Sequence, residues 1–207
     1  MREDQREDGI MFAVAGASRN WKTGWIKSRL ARAERVLIWD PRGEYPGDVP
    51  GCLMVRSVPE LARVLLDAWD GPVKVALWAP VTEFEKFAKR AYEWLQLWPG
   101  VVIVEEMHQV TNSGKATGSL GELIRQGLYY GGHIYAVCQR PQEIDKTTWA
   151  NATVKHCHYL DTPLDCDYMG GLLGVDPGEF AKLKPGDWIE KRAGQREVFR
   201  GRVPRRA

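Results

Sequence analysis

The sequence predicts an α/β protein built on a mainly parallel β-sheet with helices on both faces. Two observations carry that expectation. Apolar runs of five or six residues recur along the chain, and most are separated by a stretch long enough for a helix. The runs also lack polar alternation, which suits strands covered on both sides. MFAVA (11–15) is the first, with a helix expected from Thr23 to about Ala33. VLIWD (36–40) leads through a Gly/Pro-rich loop to a helix near 59–69. KVALWA (74–79) precedes a helix near 82–97, whose Phe84, Phe87, Tyr92 and Trp94 serve packing. VVIVEE (101–106) is followed by a Gly/Ser-rich loop and a helix near 118–130. HIYAVC (133–138) and KHCHYL (155–160) complete the series. WIEKR and REVFRG, set around AGQ, read as a β-hairpin or edge addition. One domain is expected over 1–207, with a core at about 10–160 and a helical and hairpin extension at about 161–207.

Composition bounds what such a chain can do. With 44% hydrophobic and 27% charged residues, 207 residues make one substantial soluble domain. No apolar run approaches the roughly 18–20 residues of a membrane span. The mixed-charge start MREDQREDG excludes a secretory signal, so a cytoplasmic protein is expected. Cys52, Cys138, Cys157 and Cys166 lack C-x-x-C spacing and read as reduced, buried thiols. His156-Cys157-His158 with Cys166 raises the question of zinc. Strand alternation, however, puts the two histidines on one face and Cys157 on the other, and a paired-histidine strand is the plainer reading. The net charge of +2 is unevenly spread, since residues 191–207 carry +6 and the rest −4. A basic end of this kind attracts a polyanion, and it is equally compatible with a solubilising tail.

The chemistry sits where strands end. GASRNWKT (16–23) follows MFAVA and fits the phosphate-loop pattern G-x-x-x-x-G-K-[ST] at Gly16, Lys22 and Thr23. In such a loop, here Gly16, Ala17, Ser18, Arg19, Asn20 and Trp21, backbone N–H groups and a helix N-terminus surround phosphate. Lys22 is then expected on the β- and γ-phosphates of ATP and the Thr23 hydroxyl on Mg2+. Trp21 occupies the second glycine's place, where a side chain crowds a tight turn. VVIVEE ends in two acids at the same sheet edge: Glu105 is expected to hold Mg2+ through its water shell and Glu106 to activate the attacking water. Gln139, ending HIYAVC, is placed to sense the γ-phosphate or orient that water. Asp40 ends another strand and either supports the phosphate loop or caps the turn Pro41-Arg42-Gly43, with the cap favoured.

The order WDPRGEY … VVIVEEMH … LIRQGLYYGGHIYAVCQRPQEID resembles the FtsK/HerA superfamily of P-loop ATPases, from about Phe12 to Leu160. QRPQEID and the upstream RQG are its most specific portions; Trp21 for glycine and Glu105 for aspartate are departures. In length and in the absence of a membrane segment the chain is similar to the genome-packaging ATPases of tailless icosahedral viruses, especially those with an internal membrane.

That resemblance implies a RecA-like core and a homo-oligomeric ring, often hexameric, with ATP between subunits and an arginine finger from a neighbour. Arg125 matches the finger position, with Arg140 as the second candidate. It further implies double-stranded DNA and a capsid or portal-vertex protein as partners, in host cytoplasm or on the virion at the packaging vertex. Lys115, in the loop TNSGKATG, is the expected DNA contact in the channel. Two other readings stand beside this one. The first is a filamentous-phage assembly ATPase of the zonula-occludens-toxin type. The second is a nucleotide-binding structural subunit without turnover, which Trp21 favours.

Overall fold

The computed structural model describes residues 9–204. Strand β1 (Met11–Ala15) leads to helix α1 (Lys22–Arg29), then β2 (Arg35–Trp39), β3 (Cys52–Val55) and α2 (Val58–Ala68). Next come β4 (Val73–Leu77), α3 (Phe84–Leu97), β5 (Val101–Val104), α4 (Gly118–Gln126) and β6 (His133–Cys138). The chain ends through α5 (Lys146–Asn151), β7 (Val154–Cys157), α6 (Pro163–Leu173), α7 (Gly178–Lys182), β8 (Asp187–Arg192) and β9 (Val198–Arg202). Among the described residues these strands form one nine-stranded sheet in the order β3-β4-β2-β5-β6-β1-β7-β8-β9. β1 to β7 pair in parallel, whereas β8 and β9 add antiparallel at one edge.

The apolar runs become central strands because each has two buried faces. In β1, Met11, Ala13 and Ala15 join the core beneath α2 to α7, while Phe12 and Val14 join the core beneath α1. Coverage is unequal. The second face has only Trp25, Ile26 and Leu30 from the α1 region, and loop residues Tyr45 and Val49 complete it.

The structure departs from the sequence expectation in three places. The segment read as a Gly/Pro-rich loop contains β3, a four-residue edge strand that exposes Leu53 and Met54 and therefore lacks a long apolar run. The helices from Thr23 and near 118–130 both tighten into 3₁₀ turns, at Leu30–Arg32 and Gly127–Tyr130. The basic C-terminal strands are also largely neutralised. Arg192 pairs with Glu190, Arg200 with Glu179 and Arg202 with Asp187. Arg205 and Arg206 of the basic end lie outside the described residues.

Candidate active site

Parallel strands share one carboxyl edge, and open α/β sheets bind ligands in the crevice there. Strands β1, β2, β5 and β6 deliver Gly16, Asp40, Glu105–Glu106 and Gln139 to that edge. A cavity of about 550 Å³ opens among them, lined by Ser18 to Gly24, Asp40, Arg42, Glu44, Glu105, Glu106 and Gln139. Gly16 is required by packing rather than by the pattern alone: a Cβ there would lie 2.8 Å from the Cβ of His158 on the neighbouring strand's extension.

The loop from Gly16 to Thr23 is held by its own backbone. Arg19 (φ 60°) and Trp21 (φ 68°, ψ 9°) both adopt the left-handed conformation. Trp21 thus takes the backbone geometry that glycine tolerates best, a strain of about 1 kcal/mol for an L-residue. Trp21 is the N-cap residue of α1, and its carbonyl accepts the Trp25 N–H at 2.8 Å. The indole lies against Gly24, where an added Cβ would meet its ring at 3.3 Å. The Lys22 ammonium donates to the carbonyls of Gly16 (2.6 Å) and Ala17 (2.9 Å). Burial lowers its pKa from the ordinary lysine value, and the nearby charges of Glu105 and Glu106 oppose that shift.

The two acids of β5 separate cleanly. Glu105 continues the strand, its N–H on the Trp39 carbonyl. Its Oε1 accepts from the Tyr45 hydroxyl at 2.6 Å and from Thr23 Oγ1 at 3.3 Å. Burial raises the Glu105 pKa to about 7, against the opposing pull of Tyr45 and Lys22. Glu106 turns away in a left-handed conformation (φ 51°, ψ 46°), which aims its carboxylate at β6. Gln139 Nε2 donates to both of its oxygens at 2.8 and 3.0 Å. Arg42 Nη2 stands 2.8 Å from Oε1, and His108 Nδ1 lies 3.4 Å from Oε2.

Thr23 Oγ1 and Glu105 Oε1 are hard oxygen donors at one spot, a set that fits Mg2+, which keeps most of its waters and needs few protein ligands. No group of three or more His, Cys, Asp or Glu among the described residues has the arrangement of a metal site. His156 and His158 do share a face, as alternation requires. Their Nε2 atoms lie 3.2 Å apart, with His156 Nδ1 on Glu190 Oε2 (3.0 Å) and His158 Nδ1 on the Asp187 carbonyl (2.9 Å). Cys157 lies in the opposite core, and its thiol donates to the His158 carbonyl at 3.1 Å.

Asp40 is the cap of its turn: Oδ2 accepts from Tyr45 N–H and its carbonyl from Gly43 N–H. Arg125 and Arg140 do not line the cavity. Arg125 is exposed on α4 and donates to the Ala116 carbonyl; Arg140 meets Glu143 and Asp165. Lys115 is exposed, but its loop is tied to the start of α5 through Lys146 N–H to Gly114 O and Ala116 N–H to Thr147 Oγ1. That loop is more constrained than its two glycines suggest. Sequence reasoning passed over Arg42 and Tyr45, although both belong to the quoted WDPRGEY, and passed over His108.

Comparison with known proteins decides the kinship. The chain is 31% identical over 187 residues to Protein P9 of Pseudoalteromonas phage PM2, spanning 88% of this chain and 84% of that protein. The chain belongs to the Protein P9 family. Among solved structures, the genome packaging NTPase B204 from Sulfolobus turreted icosahedral virus 2, in complex with AMPPCP, superimposes with a TM-score of 0.77. That match covers 96% of this chain and 99% of B204 at 14% identity. The N-terminal domain of zonular occludens toxin from Neisseria meningitidis gives a TM-score of 0.54 over 95% of this chain and 94% of its own, at 13% identity. The fold of this P9-family chain is therefore that of the P-loop NTPases. No family model matches the sequence. Among the described residues no helix is long and apolar enough to cross a membrane.

Proposed function

We propose that this P9-family chain is a single-domain ATPase of the FtsK/HerA type that drives viral double-stranded DNA into a preformed capsid. The observation that carries the reading is the convergence on one cavity of Lys22, Thr23, Glu105, Glu106 and Gln139, drawn from three separate strand ends. A decayed phosphate loop has no need of a carboxylate pair and a glutamine held in register beside it. The likeness to B204, a genome packaging NTPase bound to an ATP analogue, supports the same direction.

The residues divide the work. The N–H groups of residues 16–23 and the start of α1 receive the phosphates, and the Lys22 ammonium exchanges its two backbone carbonyls for phosphate oxygens. Thr23 and Glu105 hold Mg2+, which when bound screens charge on the phosphates. Glu106 accepts the proton of the attacking water, and Gln139 fixes the direction of that carboxylate. Arg125 of an adjacent subunit in a ring, a hexamer by preference, completes the charge stabilisation, with Arg140 as the second candidate. Lys115 touches the DNA backbone, a contact that carries no sequence information. A capsid or portal-vertex protein is the docking partner, in the host cytoplasm or on the virion.

DNA-stimulated phosphate release by the wild type and by Lys22→Ala tests the reading. Strong release lost in the variant is expected; equal release from both overturns the enzymatic assignment and leaves a structural nucleotide-binding subunit. Sedimentation with ATP and DNA present tests the ring, which a purely monomeric species would exclude.

A further inference from the structure

The Glu106 carboxylate is crowded for a group that must receive a proton. Oε1 faces both Arg42 Nη2 and Gln139 Nε2 at 2.8 Å, and Oε2 faces Gln139 Nε2 at 3.0 Å and His108 Nδ1 at 3.4 Å. With Arg42 and Gln139 already on Oε1, and Gln139 on Oε2 as well, a water has to displace a partner to reach the carboxylate. One partner has to leave, and the three differ in freedom. Gln139 ends the central strand β6, and His108 follows Glu106 in the same tight turn. Arg42 alone is an exposed side chain, half accessible to solvent, on a surface turn that lines the cavity.

Its backbone cannot follow it. Pro41 precedes Arg42, the Asp40 carbonyl and carboxylate hold the turn from Gly43 to Tyr45, and Gly43 (φ +67°) packs against Met54. Glu106 is fixed too, by its own left-handed backbone. The guanidinium therefore moves by rotating its side chain, and moving it separates it from Glu106. Lys22 and Arg42 both line the cavity, so a phosphate chain lying on the loop comes within reach of the rotated guanidinium.

We propose that Arg42 reads the terminal phosphate of a nucleoside triphosphate in cis: it pairs with Glu106 in one arrangement and with that phosphate in the other. The inference rests on the nucleotide reading of this cavity. A doubly charged terminal phosphate outcompetes a carboxylate for a guanidinium and accepts two of its five donors. Once Arg42 has moved, Glu106 keeps Gln139 and regains one acceptor position on Oε1. Water oxygen then bonds to the γ-phosphorus as the bond from that phosphorus to the β–γ bridging oxygen breaks. The water proton passes to Glu106 and departs with orthophosphate, and ADP leaves. A diphosphate lacks the group that would draw Arg42 away, so Glu106 stays paired.

The test is equilibrium binding of ADP and of a non-hydrolysable ATP analogue, with Mg2+, to the full-length wild type, Arg42→Ala, Arg42→Lys and Lys22→Ala, after thermal melts confirm folding. Arg42→Ala should weaken analogue binding about tenfold and leave ADP within about twofold, as expected for one lost charge-assisted contact. Arg42→Lys should recover part of the loss, because it keeps the charge without the fork. Equal weakening of both nucleotides, or no change in either, overturns the role of Arg42. If the wild type binds neither nucleotide, or Lys22→Ala binds both as well as wild type, the nucleotide reading itself has failed and Arg42 falls with it.

Discussion

The two sides of the cavity are built in opposite ways. The acidic side, Glu105 and Glu106, is fixed by side chains arriving from other elements: Tyr45, Thr23, Gln139 and Arg42. The phosphate loop has few such supports. It stands on two left-handed residues, and its lysine satisfies itself on the loop's own carbonyls. Its firmest outside contacts lie beneath it, where Ala17 N–H donates to the Tyr159 carbonyl and Gly16 lies against His158. Apart from the Arg42 contact, the acidic side is thus held in place by its neighbours, whereas the loop has to exchange contacts when phosphate arrives. Perturbing each side separately should give distinguishable losses.

The largest effect belongs to the acidic side. Glu106→Gln keeps the shape and one of the two acceptors for Gln139 but removes the proposed base, so hydrolysis should fall by about 10²–10⁴-fold with nucleotide affinity nearly unchanged. Single-turnover kinetics beside equilibrium binding reads both. A parallel loss of binding would show that Glu106 belongs to the loop's support and erase the contrast.

Next in size is the floor of the loop. Burial lowers the His156 pKa to about 4, and His156 stacks on Trp25 of α1 at 3.7 Å. Glu190, its carboxylate partner, is also held below the usual range, by His156 and Arg192. His156 is therefore neutral in the fold, and the unfolded chain binds the extra proton below about pH 6.5. Stability present above that pH should be lost as pH falls from 6.5 towards 4, on the order of 3 kcal/mol at about 1.4 kcal/mol per pH unit. Denaturant unfolding of the wild type and of His156→Asn at pH 7.5 and 5 measures it. The variant should be less stable at neutral pH and lose less stability between the two pH values than the wild type, the remaining loss falling to His158, whose pKa burial also lowers. A wild type equally stable at both pH values would refute the assignment.

Tyr45→Phe returns to the acidic side with a smaller cost. It removes a 2.6 Å bond to a buried carboxylate and should destabilise the fold by about 2 kcal/mol, several degrees in melting temperature. Because Tyr45 pulls the Glu105 pKa down, the variant should also need a higher pH for Mg2+-dependent nucleotide binding. An unchanged melt would show that Glu105 is held by Thr23 alone.

The contrast also explains what was readable in the sequence. Strands β1, β2, β4, β5 and β6 were legible because both of their faces are buried, so burial writes itself as an unbroken apolar run. β3 was not, since an edge strand with Leu53 and Met54 exposed has no such signature. Glu105, Glu106, Gln139, Lys22 and Thr23 could be placed at one sheet edge because strand ends are visible. Their division of contacts could not: Tyr45 and Arg42 reach the acids by a loop whose path depends on the Asp40 cap, and one carboxylate turns towards β6 only because Glu106 is left-handed. His156 and His158 were legible as a same-face pair, but not as the floor of the phosphate loop, which required the β1–β7 register.

The smallest effect concerns Trp21, the residue that made the loop look doubtful. Its φ of 68° is one that glycine accepts freely and any side chain pays for, so Trp21→Gly and Trp21→Ala should part by about 1 kcal/mol, glycine the more stable. Both lose the same indole contact with Gly24, which leaves backbone strain as the difference between them. If the loop has to rearrange around phosphate, the glycine variant should also bind ATP a few-fold more tightly than the alanine variant. Equal stabilities would mean that the left-handed turn is not strained at this position. In that event the tryptophan departs from the phosphate-loop pattern in letter only.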